Sequence, residues 1–181
     1  MRVLVIRHAH AASQSAAVAD AERPLTPEGE RRFRAAARGL ATLVTPDALL
    51  TSPLRRARET AAIAGAAWGG LTPAPEPALA SGGVDAILGL LENQPPDATV
   101  ALVGHEPTVS MLVAELTGLS SSDQVGFEPG AAALVEWASP GLGSCRLVWF
   151  MSPTDAAALG GVGGSGALPP TADQGLPPTT N

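Results

Sequence analysis

Near the amino terminus, Val3-Leu4-Val5-Ile6 runs without a break into Arg7-His8, and few folds accommodate that junction. Four consecutive apolar side chains, three of them β-branched, fit an extended segment covered on both faces, as in a parallel sheet. An arginine buried beside such a strand is costly unless an anion meets it. The strand is therefore expected to stop at Arg7-His8, leaving both side chains at its carboxyl end. That is where open α/β sheets keep their ligands. A plain surface Arg-His pair is the competing reading of this stretch.

The chain beyond it alternates. Residues 9–25 read as a loop. Thr26-Pro27-Glu28 gives an N-cap, a first-turn proline and a first-turn acid. Phe33, Ala36, Ala37, Leu40 and Val44 then recur at helical spacing up to Pro46. Ala48–Thr51 is a short strand. Ser52-Pro53 repeats the cap-plus-proline signal for a helix through Ala57, Ala61 and Ala64, ending near Gly69-Gly70. Residues 71–81 hold three prolines and at most a short strand around Ala74 to Pro77. Val84, Ile87, Leu88 and Leu91 mark another helix, stopped by Pro95-Pro96. Thr99–Val103 is a second strand of the buried kind, followed at once by Gly104-His105-Glu106-Pro107. A helix through Val109, Leu112, Val113 and Leu116 ends at Gly118. Ala131–Trp137 and Arg146–Met151 read as an antiparallel pair across a Pro-Gly-rich turn. The pattern predicts an α/β three-layer sandwich with a mainly parallel mixed sheet. From Thr154 onward there is hardly a large apolar residue, so one domain over 1–153 and a disordered tail over 154–181 are expected.

Composition narrows the function. A net charge of −6 argues against nucleic acid as a partner. No segment approaches a membrane span, and Arg2 and Arg7 bracket too short an apolar run for a secretory signal. The single Cys145 rules out an internal disulfide and fits a reducing cytoplasm. There is no lysine, and ten of the eleven arginines fall in residues 1–58 against five acids, while residues 59–181 hold one arginine against twelve. An arginine-rich first third can build a local anion site in an acidic protein. Arg31, Arg32, Arg34 and Arg38 read as solvated helix residues instead.

Three positions stand at strand ends or helix starts: Arg7-His8, Ser52 with Arg55-Arg56, and His105. If their strands are neighbours, two histidines and at least two arginines share one crevice. That is a phosphoryl-transfer constellation, in which a neutral imidazole attacks phosphorus and arginines hold the equatorial oxygens. A rival of another class uses His8, His10 and His105 as zinc ligands. Arg7 and Arg56 would crowd such a cation, and no carboxylate stands at ligand spacing. A non-catalytic phosphate-binding module is a third reading. It ranks lower because both histidines are present. No metal or cofactor is expected.

Taken together, these residues resemble the histidine phosphatase superfamily, relatives of cofactor-dependent phosphoglycerate mutase. Val3 to His8 resembles its Arg-His signature. Ser52-Pro53-Leu54-Arg55-Arg56-Ala57-Arg58-Glu59-Thr60 resembles its second motif, and Val103-Gly104-His105 its third. Arg23-Pro24-Leu25-Thr26 with Gly29, His105-Glu106-Pro107 leading into Leu112-Val113-Ala114-Glu115-Leu116, and Met151-Ser152-Pro153 look like the small bacterial phosphohistidine phosphatases of the SixA type. The resemblance covers about residues 1–153. It implies a phosphoglycerate mutase-like fold, His8 as nucleophile, Arg7, Arg56 and His105 as catalytic partners, and Arg23 as a substrate contact. It also implies a cytoplasmic monomer acting on phosphohistidine in a protein or, alternatively, on small phosphate esters. Two departures stand out. Ala9 replaces the usual glycine after the histidine. The acid many members carry after the third strand is not evident: Ala78 stands near its position, and Glu76, Asp85 and Glu106 do not fit the motif.

Overall fold

A computed structural model describes residues 1–16, 18–119, 125–137 and 145–161. Six strands form one sheet: β1 (Arg2–Arg7), β2 (Ala48–Thr51), β3 (Ala74–Pro75), β4 (Thr99–Gly104), β5 (Ala132–Trp137) and β6 (Cys145–Met151). Their order is β3-β2-β4-β1-β5-β6. The pairs β3–β2, β2–β4 and β4–β1 are parallel; β5 runs against both β1 and β6. The expected mainly parallel mixed sheet and its closing antiparallel pair are both present. The connection between β5 and β6, expected to be a Pro-Gly turn, lies outside the described residues.

Among the described residues, six α-helices cover the sheet: α1 (Pro27–Leu43), α2 (Arg55–Ala67), α3 (Ala78–Ser81), α4 (Gly83–Glu92), α5 (Thr108–Thr117) and α6 (Pro153–Gly161). The pleat of β1 divides the core. Leu4 and Ile6 pack with Phe33, Leu40, Ala57, Ala64 and Ala156, the layer of α1, α2 and α6. Val3 and Val5 pack with Leu79, Ile87, Leu91, Leu112 and Leu116, the layer of α3, α4 and α5. Successive side chains of a strand alternate between faces, so a run apolar throughout needs both layers. All four residues from Val3 to Ile6 have no exposed surface.

Two expectations need correction. The Ser52-Pro53 signal does not start α2, which begins at Arg55 with Leu54 in the cap position and no side-chain cap. Ser52 is fully buried, and its hydroxyl accepts the Leu54 N–H at 3.2 Å within the turn before the helix. The second concerns the tail. Residues 154–161 of the expected tail belong to α6, which opens at Pro153 and docks along α1. The Ser152 hydroxyl accepts the Asp155 N–H at 3.1 Å. Few large apolar residues are needed because the two helices approach closely: a Cβ at Gly39 would overlap the Ala156 carbonyl. Close backbone approach provides dense packing with small residues, to which Leu159 adds its partly buried side chain. The domain therefore reaches at least Gly161, and the remainder of the expected tail, 162–181, lies outside the described residues.

Candidate active site

The register of the parallel strands sets the site. Arg7 pairs with Gly104, and Thr51 with Val103, so β1, β2 and β4 end level. The ladder runs one step further: His8 N–H donates to the Gly104 carbonyl and Ser52 N–H to the Val103 carbonyl, both at 3.0 Å. His8, Ser52 and His105 thus emerge side by side at one edge, and the His8 and His105 rings lie 5.0 Å apart, tilted by 55°.

His8 Nδ1 lies 2.7 Å from the carbonyl oxygen of Ala9. A carbonyl only accepts, so Nδ1 carries the proton and, in the neutral ring, Nε2 keeps its lone pair. The backbone after His8 is itself fixed. Ala9 N–H donates to Thr60 Oγ1 at 3.0 Å, and the Thr60 hydroxyl donates to the Arg56 carbonyl at 2.7 Å. His105 Nε2 stands 2.7 Å from Ser52 Oγ, while its Nδ1 is buried without a partner. Burial lowers the His8 pKa from 6.5 to about 4, helped by the charges of Arg56, Arg7 and Arg23 against the Ala9 carbonyl, which raises it. Burial likewise lowers His105 to about 3, with His8, Arg56 and Arg23 adding to it and Asp20 opposing. Both rings are neutral at neutral pH.

Three arginines surround the pair. Arg7 donates from Nη1 to the Phe127 carbonyl at 2.6 Å. Arg56 is buried at the start of α2. Arg23 donates from Nη1 to the Ala12 carbonyl at 2.9 Å and from Nε to Asp20 Oδ1 at 2.8 Å. The Nε atoms of Arg7 and Arg56 are buried and without partners, as is His105 Nδ1. Buried polar atoms normally find partners, so three orphans in one place describe a site built for an anion.

The structure therefore brings His8, Arg7, Arg23, Arg56 and His105 together. It sets Arg55 apart: exposed, with its Nε donating to Glu59 at 2.7 Å. His10 also stands apart, exposed, with Nδ1 3.2 Å from Thr26 Oγ1. Among the described residues no cluster of His, Cys, Asp and Glu is arranged to hold a metal ion, which leaves the three-histidine zinc reading without its ligand set. Of the acids singled out, Glu106 accepts from the Ser110 hydroxyl at 2.6 Å and the Phe127 N–H at 3.1 Å, anchoring the segment that holds Arg7. Asp85 is exposed on α4. Sequence reasoning missed Asp20, Ser52 as a histidine partner, and Thr60 as the anchor of Ala9. Ser52 and Thr60 lie inside the second motif and could have been found there. Asp20 sits in a loop without periodicity and carried no signal.

Level strand ends, a β1 flanked by β4 and β5, and helices on both faces make this a phosphoglycerate mutase-like α/β fold. A model of the histidine phosphatase superfamily (branch 1) matches residues 3–82. An uncharacterized protein of Picosynechococcus sp. is 36% identical over 146 residues, covering 74% of this chain and 88% of that protein. The structure of the protein histidine phosphatase SixA complexed with tungstate is similar with a TM-score of 0.74 and 30% identity, covering 86% of this chain and 99% of that one. A mycobacterial glucosyl-3-phosphoglycerate phosphatase shares the fold at a TM-score of 0.62 and 19% identity, covering 81% and 96%. The chain belongs to the histidine phosphatase superfamily and to its SixA-type members. Its family makes it a phosphatase.

Proposed function

We propose that the protein is a phosphohistidine phosphatase working through a covalent phosphoryl intermediate on His8 Nε2. The observation that carries this reading is the Ala9 carbonyl on His8 Nδ1, which leaves Nε2 as the free lone pair beside three arginines. Neutral His8 forms a bond from Nε2 to phosphorus as the bond to the leaving nitrogen breaks. The leaving ring, already protonated by solvent on its other nitrogen, departs as neutral imidazole. Water then attacks phosphorus, the bond to His8 breaks, and orthophosphate leaves with the water's proton passing to solvent. Arg7 and Arg56 hold the phosphoryl oxygens, and His105, with Nε2 on Ser52, offers Nδ1–H as a further donor. Arg23 extends the positive field over the site. The similar SixA structure is complexed with tungstate, an oxyanion of similar charge and shape to phosphate. That supports oxyanion binding here.

The choice of phosphohistidine rests on the leaving group. An alkyl ester expels a strongly basic alkoxide and needs a placed proton donor. Imidazole leaves easily, because its conjugate acid has a pKa of roughly 6.5. Ala78, near where relatives carry an acid, opens α3 and offers no proton. Glu106 is engaged elsewhere. The substrate is a phosphorylated protein in the cytoplasm, met by a monomer without cofactor. A turnover panel of phosphohistidine, aryl phosphates and sugar phosphates tests it. Phosphohistidine and aryl phosphates are expected to turn over fastest. Substituting Glu76 or Asp85 singly should cost less than about tenfold, below the usual general-acid contribution. Preference for sugar phosphates, with a loss of about a hundredfold on removing one of those acids, would contradict the reading.

A further inference from the structure

Asp20 touches two of the three site arginines. Arg56 donates from Nη1 to the Asp20 main-chain carbonyl at 2.8 Å and from Nη2 to Asp20 Oδ2 at 3.2 Å. Arg23 donates from Nε to Oδ1 of the same carboxylate at 2.8 Å. One residue thus takes both terminal nitrogens of Arg56 and links that side chain to Arg23. The Arg56 side chain is 7% exposed and that of Asp20 47%. The charge being held lies inside the protein and its holder lies at the rim. A guanidinium has its donors in one rigid plane. Asp20 takes one N–H from each Nη, so Arg56 keeps Nε–H, one of the buried orphans of the site, and one further N–H on each Nη for the phosphoryl group.

Charge points the same way. Three arginines and one carboxylate leave two positive charges around two neutral histidines, matching a phosphoryl dianion. Desolvation raises the Asp20 pKa, but Arg56 and Arg23, through charge and hydrogen bonds, outweigh it and the net shift is downward. Asp20 is therefore an acceptor at neutral pH and not an acid in reserve.

We propose that Asp20 is a positioning residue of the active site, pinning the Nη edge of Arg56 and tying it to Arg23 so that Arg56 meets the phosphoryl group in one fixed orientation. The role makes the short helical turn Asp20–Glu22, which the sequence presents as featureless loop, a part of the catalytic apparatus. It rests on the reading that Arg56 holds the transferring group.

The test compares wild type, Asp20→Asn, Asp20→Glu, Arg56→Ala and the Asp20→Asn/Arg56→Ala double variant, with para-nitrophenyl phosphate as substrate and orthovanadate as inhibitor. Misplacing a clamp by an ångström is worth up to about a hundredfold. Asp20→Asn should lower kcat by about tenfold or more, leave KM within about threefold, and weaken vanadate in step with kcat. Asp20→Glu keeps the charge but moves it, and should stay impaired. In the Arg56→Ala background Asp20→Asn should cost less than about twofold, because its partner is gone. Wild-type kcat in Asp20→Asn, or losses that multiply in full in the double variant, would overturn the proposal. NMR of the arginine side-chain N–H groups decides the contact without turnover. The slowly exchanging Arg56 Nη2–H and Arg23 Nε–H signals, both held by the Asp20 carboxylate, should be lost in Asp20→Asn, and unchanged signals overturn the pinning. Absence of any His8-dependent turnover in the wild type would instead sink the phosphatase reading, and the NMR result would still decide the contact.

Discussion

His8 sits where burial and three guanidinium charges disfavour its cation, and this has two consequences of opposite practical sign. The sequence alone places loss of nucleophilic attack below about pH 6.5, the ordinary histidine value. The structure moves it, because the free-enzyme His8 pKa is about 4. Since kcat/KM reports the free enzyme, its acid limb, with substrate ionisation divided out, should fall only as pH approaches 4; a midpoint near 6.5 would contradict the burial argument. Stability responds at higher pH. Between 6.5 and about 4 the unfolded chain binds a proton at His8 that the folded chain refuses, and at His105 the window extends to about 3. Stability from these two residues is thus full above pH 6.5 and is lost as pH falls through that window. At this scale the sequence already marked His8, Arg7, Arg56, His105 and Arg23, because strand-end position and motif spacing are local properties. Asp20 escaped notice because its partner Arg56 is 36 residues away and nothing in a loop announces such a contact.

At the scale of elements, strands buried on both faces and helices with a capped start were legible almost residue for residue. Thr26 does accept the Gly29 N–H at 2.9 Å, with Pro27 opening α1 as expected. The failures share a cause. Ser52 and Ser152 both precede a proline, yet only Ser152 caps a helix, while Ser52 turns inward to His105. Local chemistry cannot separate the two when tertiary partners decide. α6 was lost because large apolar residues were taken as the measure of burial, whereas Gly39 and Gly160 let α1 and α6 meet backbone to backbone. The close approach makes a prediction with an internal control. Gly39→Ala improves helix propensity by up to about 1 kcal/mol but overpacks the interface, and should destabilise by about 1–3 kcal/mol. Gly89 in α4 has open space where a Cβ would go, so Gly89→Ala should stabilise by roughly 0.5–1 kcal/mol. Urea unfolding of both variants checks this, and equal effects of the same sign would contradict the packing account.

Across the whole molecule, the arrangement reduces to one sheet that sorts charge. Ten of eleven arginines precede residue 59, and the fold gathers three of them with two neutral histidines at the carboxyl ends of β1, β2 and β4. The arginines expected to be solvated are so: Arg31, Arg32, Arg34 and Arg38 are all exposed along α1. Among the described residues no helix is long and apolar enough to cross a membrane. What the architecture contributes to chemistry is order: β1 delivers His8, the Ala9 carbonyl sets its tautomer, and Thr60 on α2 holds Ala9 in place. In the proposed mechanism each part serves a single event, transfer of a phosphoryl group to His8 Nε2. The direct measurement is rapid quench with a phosphate-labelled substrate in wild type and His8→Ala. A label that is acid-labile and base-stable, present in wild type and absent in His8→Ala, is the expected result; label undiminished in His8→Ala would contradict the account.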